Sequence, residues 1–221
     1  MPRAIHGLLL GTVMGIAAGL GVSPVLAEPE DSAERLAARI AWGLERLKNG
    51  NSCNRCYFNG IVLRGHTLYR TSLKMVEMRN ADLRWTYFED VDLFQADLRG
   101  SDMRQASLEN TNLYDADLRT TDLDKANLRG ADLTSANLQR AYLTEAILIG
   151  ATLREARLDD ADLSGADLTF ADLSRGILTR ANFTEANLEN AILSYSILGG
   201  ADFSGANLTG ARFRGVDFSN A

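Results

Sequence analysis

From Phe58 to Phe218 every fifth residue is a large apolar one, and the register never slips. The 33 positions hold 25 Leu, six Phe and two Met. With the large residue called i, position i−2 is small: from Ala81 to Ala221 it is Ala 21 times in 29, otherwise Thr, Ser, Val or Gly. Positions i−1 and i+1 are mostly polar, and Gly100, Gly130, Gly150, Gly165, Gly200, Gly205, Gly210 and Gly215 all fall at i+2. A period of five fits neither the helical 3.6 nor the strand period of two. Residues i−2 and i, two apart, share one side of a short extended stretch, and Gly suits a chain that turns a corner at i+2. The pattern therefore predicts a coil that extends and turns repeatedly, with i and i−2 always inward. Self-similarity at one fixed period marks a repeat architecture.

Ahead of the repeats the period changes. Ala33, Leu36, Ala37, Ile40, Leu44 and Leu47 recur at helical spacing and predict a helix over about 32–49. Asp31 is placed as its N-cap, with Glu34 completing a capping box, and Asn49-Gly50 ends it. Trp42 lies opposite the apolar stripe, between Arg39 and Arg46. Two readings stand for it: packing under the arginines by cation–π contact, or a contact point for a partner.

Ala96-Asp97-Leu98-Arg99-Gly100, Ala136-Asn137-Leu138-Gln139-Arg140, Ala161-Asp162-Leu163-Ser164-Gly165 and Ala201-Asp202-Phe203-Ser204-Gly205 resemble the units of pentapeptide-repeat proteins. The resemblance covers residues 51–221. It implies an all-β solenoid, a right-handed quadrilateral β-helix with four pentapeptides per coil and about eight and a half coils, roughly 40 Å long at strand-like spacing. The helix ahead of it becomes an N-terminal cap, so the expected division is 1–27, 28–50 and 51–221. Residues twenty apart would stack: Phe58, Met78 and Leu98 begin one inner column, and Phe183 meets Phe203 in another. A bore filled by Leu, Phe and Ala leaves no internal pocket.

Residues 1–27 read as an export signal. Arg3 supplies the positive end, Ile5 to Val22 is uncharged and largely apolar, and small residues lead to cleavage after Ala27. The alternative is an uncleaved anchor, since the apolar stretch approaches spanning length. Cleavage would leave a chain from Glu28 with no membrane attachment, in a periplasm or a thylakoid lumen. The formal net charge is −6. Residues 28–80 carry +3, 81–135 carry −6 and 136–221 carry −4. An acidic body is a poor nucleic-acid binder.

Chemistry is sparse. Asp82, Asp102, Asp122, Asp162 and Asp202 share a column, which invites a calcium or DNA-mimic reading. Arg84 and Arg104 follow two residues after Asp82 and Asp102, and Arg99 and Arg119 after Asp97 and Asp117. Self-neutralised pairs on a solvated surface are the simpler account. Cys53-Asn54-Arg55-Cys56 suggests an oxidised pair in an exported protein, with reduced core cysteines and a redox or metal role as alternatives. Position 57 is Tyr, which excludes the c-type haem motif. His66 takes an i−2 slot where later coils carry Ala, at the edge of a wide first coil. No nucleophile–base constellation or phosphate loop is present, and no metal or cofactor is expected.

The outer face has its own departures. Tyr142, Ile147, Ile149, Ile177, Ile192, Tyr195 and Ile197 stand where polar residues are the rule. The cluster of Ile177, Ile192, Tyr195 and Ile197 is a candidate protein-contact patch, unless isoleucine simply suits an extended segment. An uncovered last coil would expose Phe213 and Phe218 as the edge of a tail-to-tail homodimer. The chain reads as a non-enzymatic exported binding or scaffold module whose partner is a protein of unknown identity. The alternative follows from the resemblance alone: some family members mimic DNA and protect DNA gyrase.

Overall fold

The structure is a computed structural model, and it describes residues 33–48 and 52–217. Helix α1 runs Ala33–Lys48, close to the expected span. Beyond it the chain forms a parallel β-helix with a twenty-residue coil. Single-residue rungs join each i−1 position to the one twenty residues on, from Tyr57↔Glu77 to Ile197↔Asp217. Two three-residue strands, β1 (Thr67–Tyr69) and β2 (Tyr87–Glu89), pair in the same parallel register. Each coil has four sides. The first is made by 56–60 and the residues twenty, forty and more beyond; the second by 61–65, the third by 66–70 and the fourth by 71–75 and their repeats.

The five-residue period satisfies every backbone N–H at a typical unit. Around Leu133, the Asp132 N–H donates to Thr111 O in the coil before, and the Leu133 and Ser135 N–H groups donate to Thr152 O and Arg154 O in the coil after. The Ala136 N–H closes the turn onto Leu133 O. The remaining N–H, of Thr134, donates to the Asp132 carboxylate at 3.0 Å. The same side-chain acceptor recurs at Asn112, Asn137, Asp162, Asp172, Asn182 and Asn207. Asp and Asn are thus preferred at i−1 because a short side chain there reaches the next turn's donor.

Every corner takes a left-handed backbone at i+2. Non-glycine residues do so at 23 positions, with φ between 47° and 64°. Glycine serves a second purpose at some corners. A Cβ on Gly100, Gly130 or Gly210 would sit 2.6, 2.4 or 2.4 Å from the side-chain oxygen of Asn80, Asn110 or Asn190 in the preceding coil. Asparagine at one corner therefore requires glycine at the corner stacked on it.

The i and i−2 side chains fill the bore, as the period predicts, and Leu73 through Leu193 are fully buried at almost every i position. Phe183 and Phe203 stack with ring centroids 4.9 Å apart. Thr86, Ser101, Thr111 and Thr121 replace Ala at i−2 and donate their hydroxyls to Leu63, Met78, Phe88 and Leu98 carbonyls. At the far end of the ladder Phe203 and Phe213 are only partly buried and Leu208 is exposed.

Helix α1 lies against the first coil. Leu47 is buried, Ile40 and Leu44 pack on the core, and Arg39 covers the Tyr57 ring at 4.8 Å. Gly43 is the point of closest approach: a Cβ there would meet the Phe58 ring at 2.6 Å.

Candidate protein-interaction surface

The acidic columns are held by arginine forks near the start of the ladder. Arg84 grips Asp82 through two bonds of 2.8 and 2.5 Å and reaches Asp102 at 3.3 Å. Arg104 repeats this on Asp102, at 2.9 and 2.6 Å, and approaches Asp122 at 3.5 Å. On the first side Arg99 and Arg119 grip Asp97 and Asp117 in the same way. The fork from Arg84 lowers the Asp82 pKa below the ordinary carboxylate value. For Asp97 and Asp102 burial pushes upward, but the arginine hydrogen bonds outweigh it and both stay low. Farther along, Asp162 serves as an acceptor for Ser164 N and Asn182 Nδ2. Among the described residues no group of three or more His, Cys, Asp or Glu is arranged to hold a metal ion.

Cys53 and Cys56 are joined in a disulfide at the head of the first coil. Both are buried, and Cys53 Sγ lies 3.7 Å from Gly43 O on the docked helix. His66 is half-buried with Nδ1 3.1 Å from Arg64 O. Trp42 is 59% exposed, with the Arg46 guanidinium 5.0 Å from its ring. A cleft of about 560 Å³ on the outside runs along Arg99, Arg119, Gln139, Arg140, Asp159 and Arg180. Arg180 holds both oxygens of Asp160 there, at 2.6 and 2.8 Å.

Val62, Tyr69, Met75, Trp85, Tyr87 and Tyr114 are exposed near the start of the ladder; the outward apolar residues of the middle coils and beyond divide between two regions. Tyr142 lies on the second side, and Ile147 and Ile149 lie on the third. Phe170, at the third-side corner, is 63% exposed and escaped the sequence reading; its only signal was an aromatic ring at a corner, a position that Trp85 and Tyr195 also fill with one. Ile177, Ile192, Tyr195 and Ile197 come together around the corner between the fourth and first sides. Ile177 and Ile197 are rung partners, and Ile192 sits three residues before Tyr195. Ile197 is 57% and Tyr195 50% exposed. Of the candidate edge residues, Phe213 is partly buried and Phe218 lies outside the described residues, as do 1–27.

The four sides also differ in charge. From 52 to 217 the second and third sides together carry six Lys/Arg against thirteen Asp/Glu, whereas the fourth and first carry twelve against eleven. The apolar corner therefore belongs to the charge-balanced half of the rod, diagonally opposite an acidic half.

The family model for pentapeptide repeats matches residues 86–124, 112–148, 142–180 and 181–220, in eight copies. A comparison with curated proteins finds no match. Among solved structures, HetL, a pentapeptide-repeat protein involved in heterocyst differentiation regulation in the cyanobacterium Nostoc, is 29% identical, with 78% of this chain and 94% of that one covered and a TM-score of 0.29. A pentapeptide-repeat protein of the Arabidopsis thaliana thylakoid lumen is 35% identical over 52% of this chain and 70% of its own, with a TM-score of 0.21. Full-length QnrB1, a plasmid-mediated fluoroquinolone resistance protein, is 22% identical over 76% and 94%, with a TM-score of 0.38.

Proposed function

The chain belongs to the pentapeptide-repeat family, whose fold is a right-handed β-helix solenoid, and from that premise we propose that it is an exported, non-enzymatic module that binds another protein. The observation that carries the reading is the corner formed by Ile177, Ile192, Tyr195 and Ile197. Four large apolar residues meet there, three of them at i−1 positions that elsewhere are mostly Asp, Asn, Ser or Thr. A fully packed bore offers no substrate site, so the outer surface is where recognition takes place. Helix α1 and the disulfide at 53–56 act as the cap of about eight and a half coils, closing a first coil that Ile61, His66, Thr71 and Val76 widen. Export follows from the charge and hydropathy pattern of 1–27, and among the described residues no helix is long and apolar enough to cross a membrane.

Affinity capture with residues 28–221 tests the reading. The wild type should retain a defined protein that an Ile177→Ser/Ile197→Ser variant loses, with the thermal midpoint of the variant little changed. Equal captures by both would remove the patch from function. A gyrase supercoiling assay addresses the DNA-mimic alternative, to which the excess of carboxylates on the second and third sides gives some support. The forks on Asp82, Asp97, Asp102 and Asp117 oppose it, because they replace phosphate-like charge by neutral pairs.

A further inference from the structure

Resting on the reading of the Ile177–Tyr195 corner as a binding surface, we propose that its partner is an acidic–apolar protein segment, one with carboxylates flanking large apolar side chains. The apolar centre is rimmed by four arginines against two aspartates, Asp172 and Asp217, which are the other rung partners of Ile192 and Ile197. Arg157 is the rung partner of Ile177, and Arg212 that of Ile192. Arg175 occupies the corner one coil before Tyr195, and the Arg214 guanidinium lies 5.8 Å from the Tyr195 ring.

These arginines are held differently from those on the acidic half. Arg84 and Arg104 each donate two bonds to one carboxylate. Arg157 and Arg175 each make one long contact, 3.6 Å to Asp159 and 3.8 Å to Glu155. Arg212 and Arg214 make no ion pair among the described residues. The rim therefore keeps guanidinium donors that planar carboxylates can engage bidentately. Between rim and centre stand Ser174, Thr179, Ser194 and Gly199, small enough to leave the surface flat, and nothing lies within 4 Å of a Cβ built on Gly199.

Charge decides among occupants. The fourth and first sides are nearly neutral in sum while the other two carry an excess of seven acidic groups. An anionic membrane drawn to the arginines would meet an acidic rod on the way in, so a compact acidic segment fits better than an extended anionic surface. The long-range field of the acidic half turns an acidic partner away from the wrong sides, and the rim gathers it at the right corner.

The test is a selection from a displayed library of random peptides about twelve residues long on the immobilised chain 28–221, run in parallel on the Ile177→Ser/Ile197→Ser variant. Peptides that need the two isoleucines should be enriched in Asp or Glu beside Leu, Phe or Trp. In fluorescence polarisation their affinity should fall at least about tenfold on Arg175→Glu/Arg212→Glu/Arg214→Glu, and fall again as salt rises from ~50 to ~500 mM. Acidic residues already occupy equivalent corner, i−1 and i+1 positions at Glu155, Asp172 and Glu189, so the charge-reversed chain retains its fold. Neutral or basic peptides, or affinity indifferent to the reversal, would overturn the inference while leaving the binding corner in place. Saturable binding to phosphatidylserine vesicles, or self-association through the same corner, would also overturn it. If no peptide depended on Ile177 and Ile197, the binding corner itself would fail.

Discussion

Asp132 separates two explanations of the acidic columns: charge or hydrogen-bond acceptance. Its carboxylate accepts the Thr134 N–H at 3.0 Å, and it makes no ion pair among the described residues. Asp132→Asn keeps the acceptor and removes the charge. Asp132→Ala removes both and orphans one half-buried N–H. Orphaning a buried donor costs about 1–3 kcal/mol, and partial access to water at Thr134 brings the expectation to roughly 1 kcal/mol. The Asn variant should stay within about 0.3 kcal/mol of wild type. Guanidinium unfolding followed by far-ultraviolet circular dichroism measures both, and because solenoid stability sums over neighbouring repeats, hydrogen exchange of 130–136 supplies the local value. The reasoning fails if Asn costs as much as Ala, or if Ala is neutral.

Four further outcomes follow. Gly130→Ala should destabilise by about 2 kcal/mol, since the new Cβ would meet Asn110 Oδ1 at 2.4 Å, whereas Gly60→Ala, with open space around it, should cost about 1 kcal/mol from backbone strain alone; thermal melts of the two compare them directly. Gly43→Val drives a side chain into the Phe58 ring, so exchange of α1 amides should speed up at least about tenfold with the middle of the ladder unchanged. The carboxyls of Asp82, Asp97 and Asp102 have folded pKa values below their ordinary 3.8; the stability they lend is fully present above that value and lost as pH falls through the lower folded values, so an Arg84→Gln/Arg104→Gln variant should differ from wild type at neutral pH and converge on it in acid. Amino-terminal sequencing of the exported protein should begin at Glu28, and a start at Met1 or Pro2 in a membrane fraction would replace cleavage by an anchor.

The five-residue period made the bore, the corners and the Phe183–Phe203 stack legible, because burial leaves a direct mark on residue type. The function of Asp and Asn at i−1 left an ambiguous mark. A carboxylate reads first as charge, and only the placement of the i+1 N–H shows that acceptance is what the position selects. The left-handed corners were half legible. Glycine announces them, yet residues as unlike as Trp85, Phe170 and Arg175 adopt the same backbone, their strain offset by inter-coil hydrogen bonds from their own N–H groups. Ile177, Ile192, Tyr195 and Ile197 stood out as departures from a polar rule. Arg157, Arg175, Arg212 and Arg214 did not, since arginine is ordinary at the surface and only the twenty-residue register gathers them around one corner.

The most direct measurement is hydrogen exchange of the chain with and without its captured partner protein. Protection confined to 174–180, 192–199 and the adjoining 211–215 is the predicted result. Protection on the second and third sides instead, at 121–130 and 161–170, would contradict the assignment of the binding surface to the Ile177–Tyr195 corner.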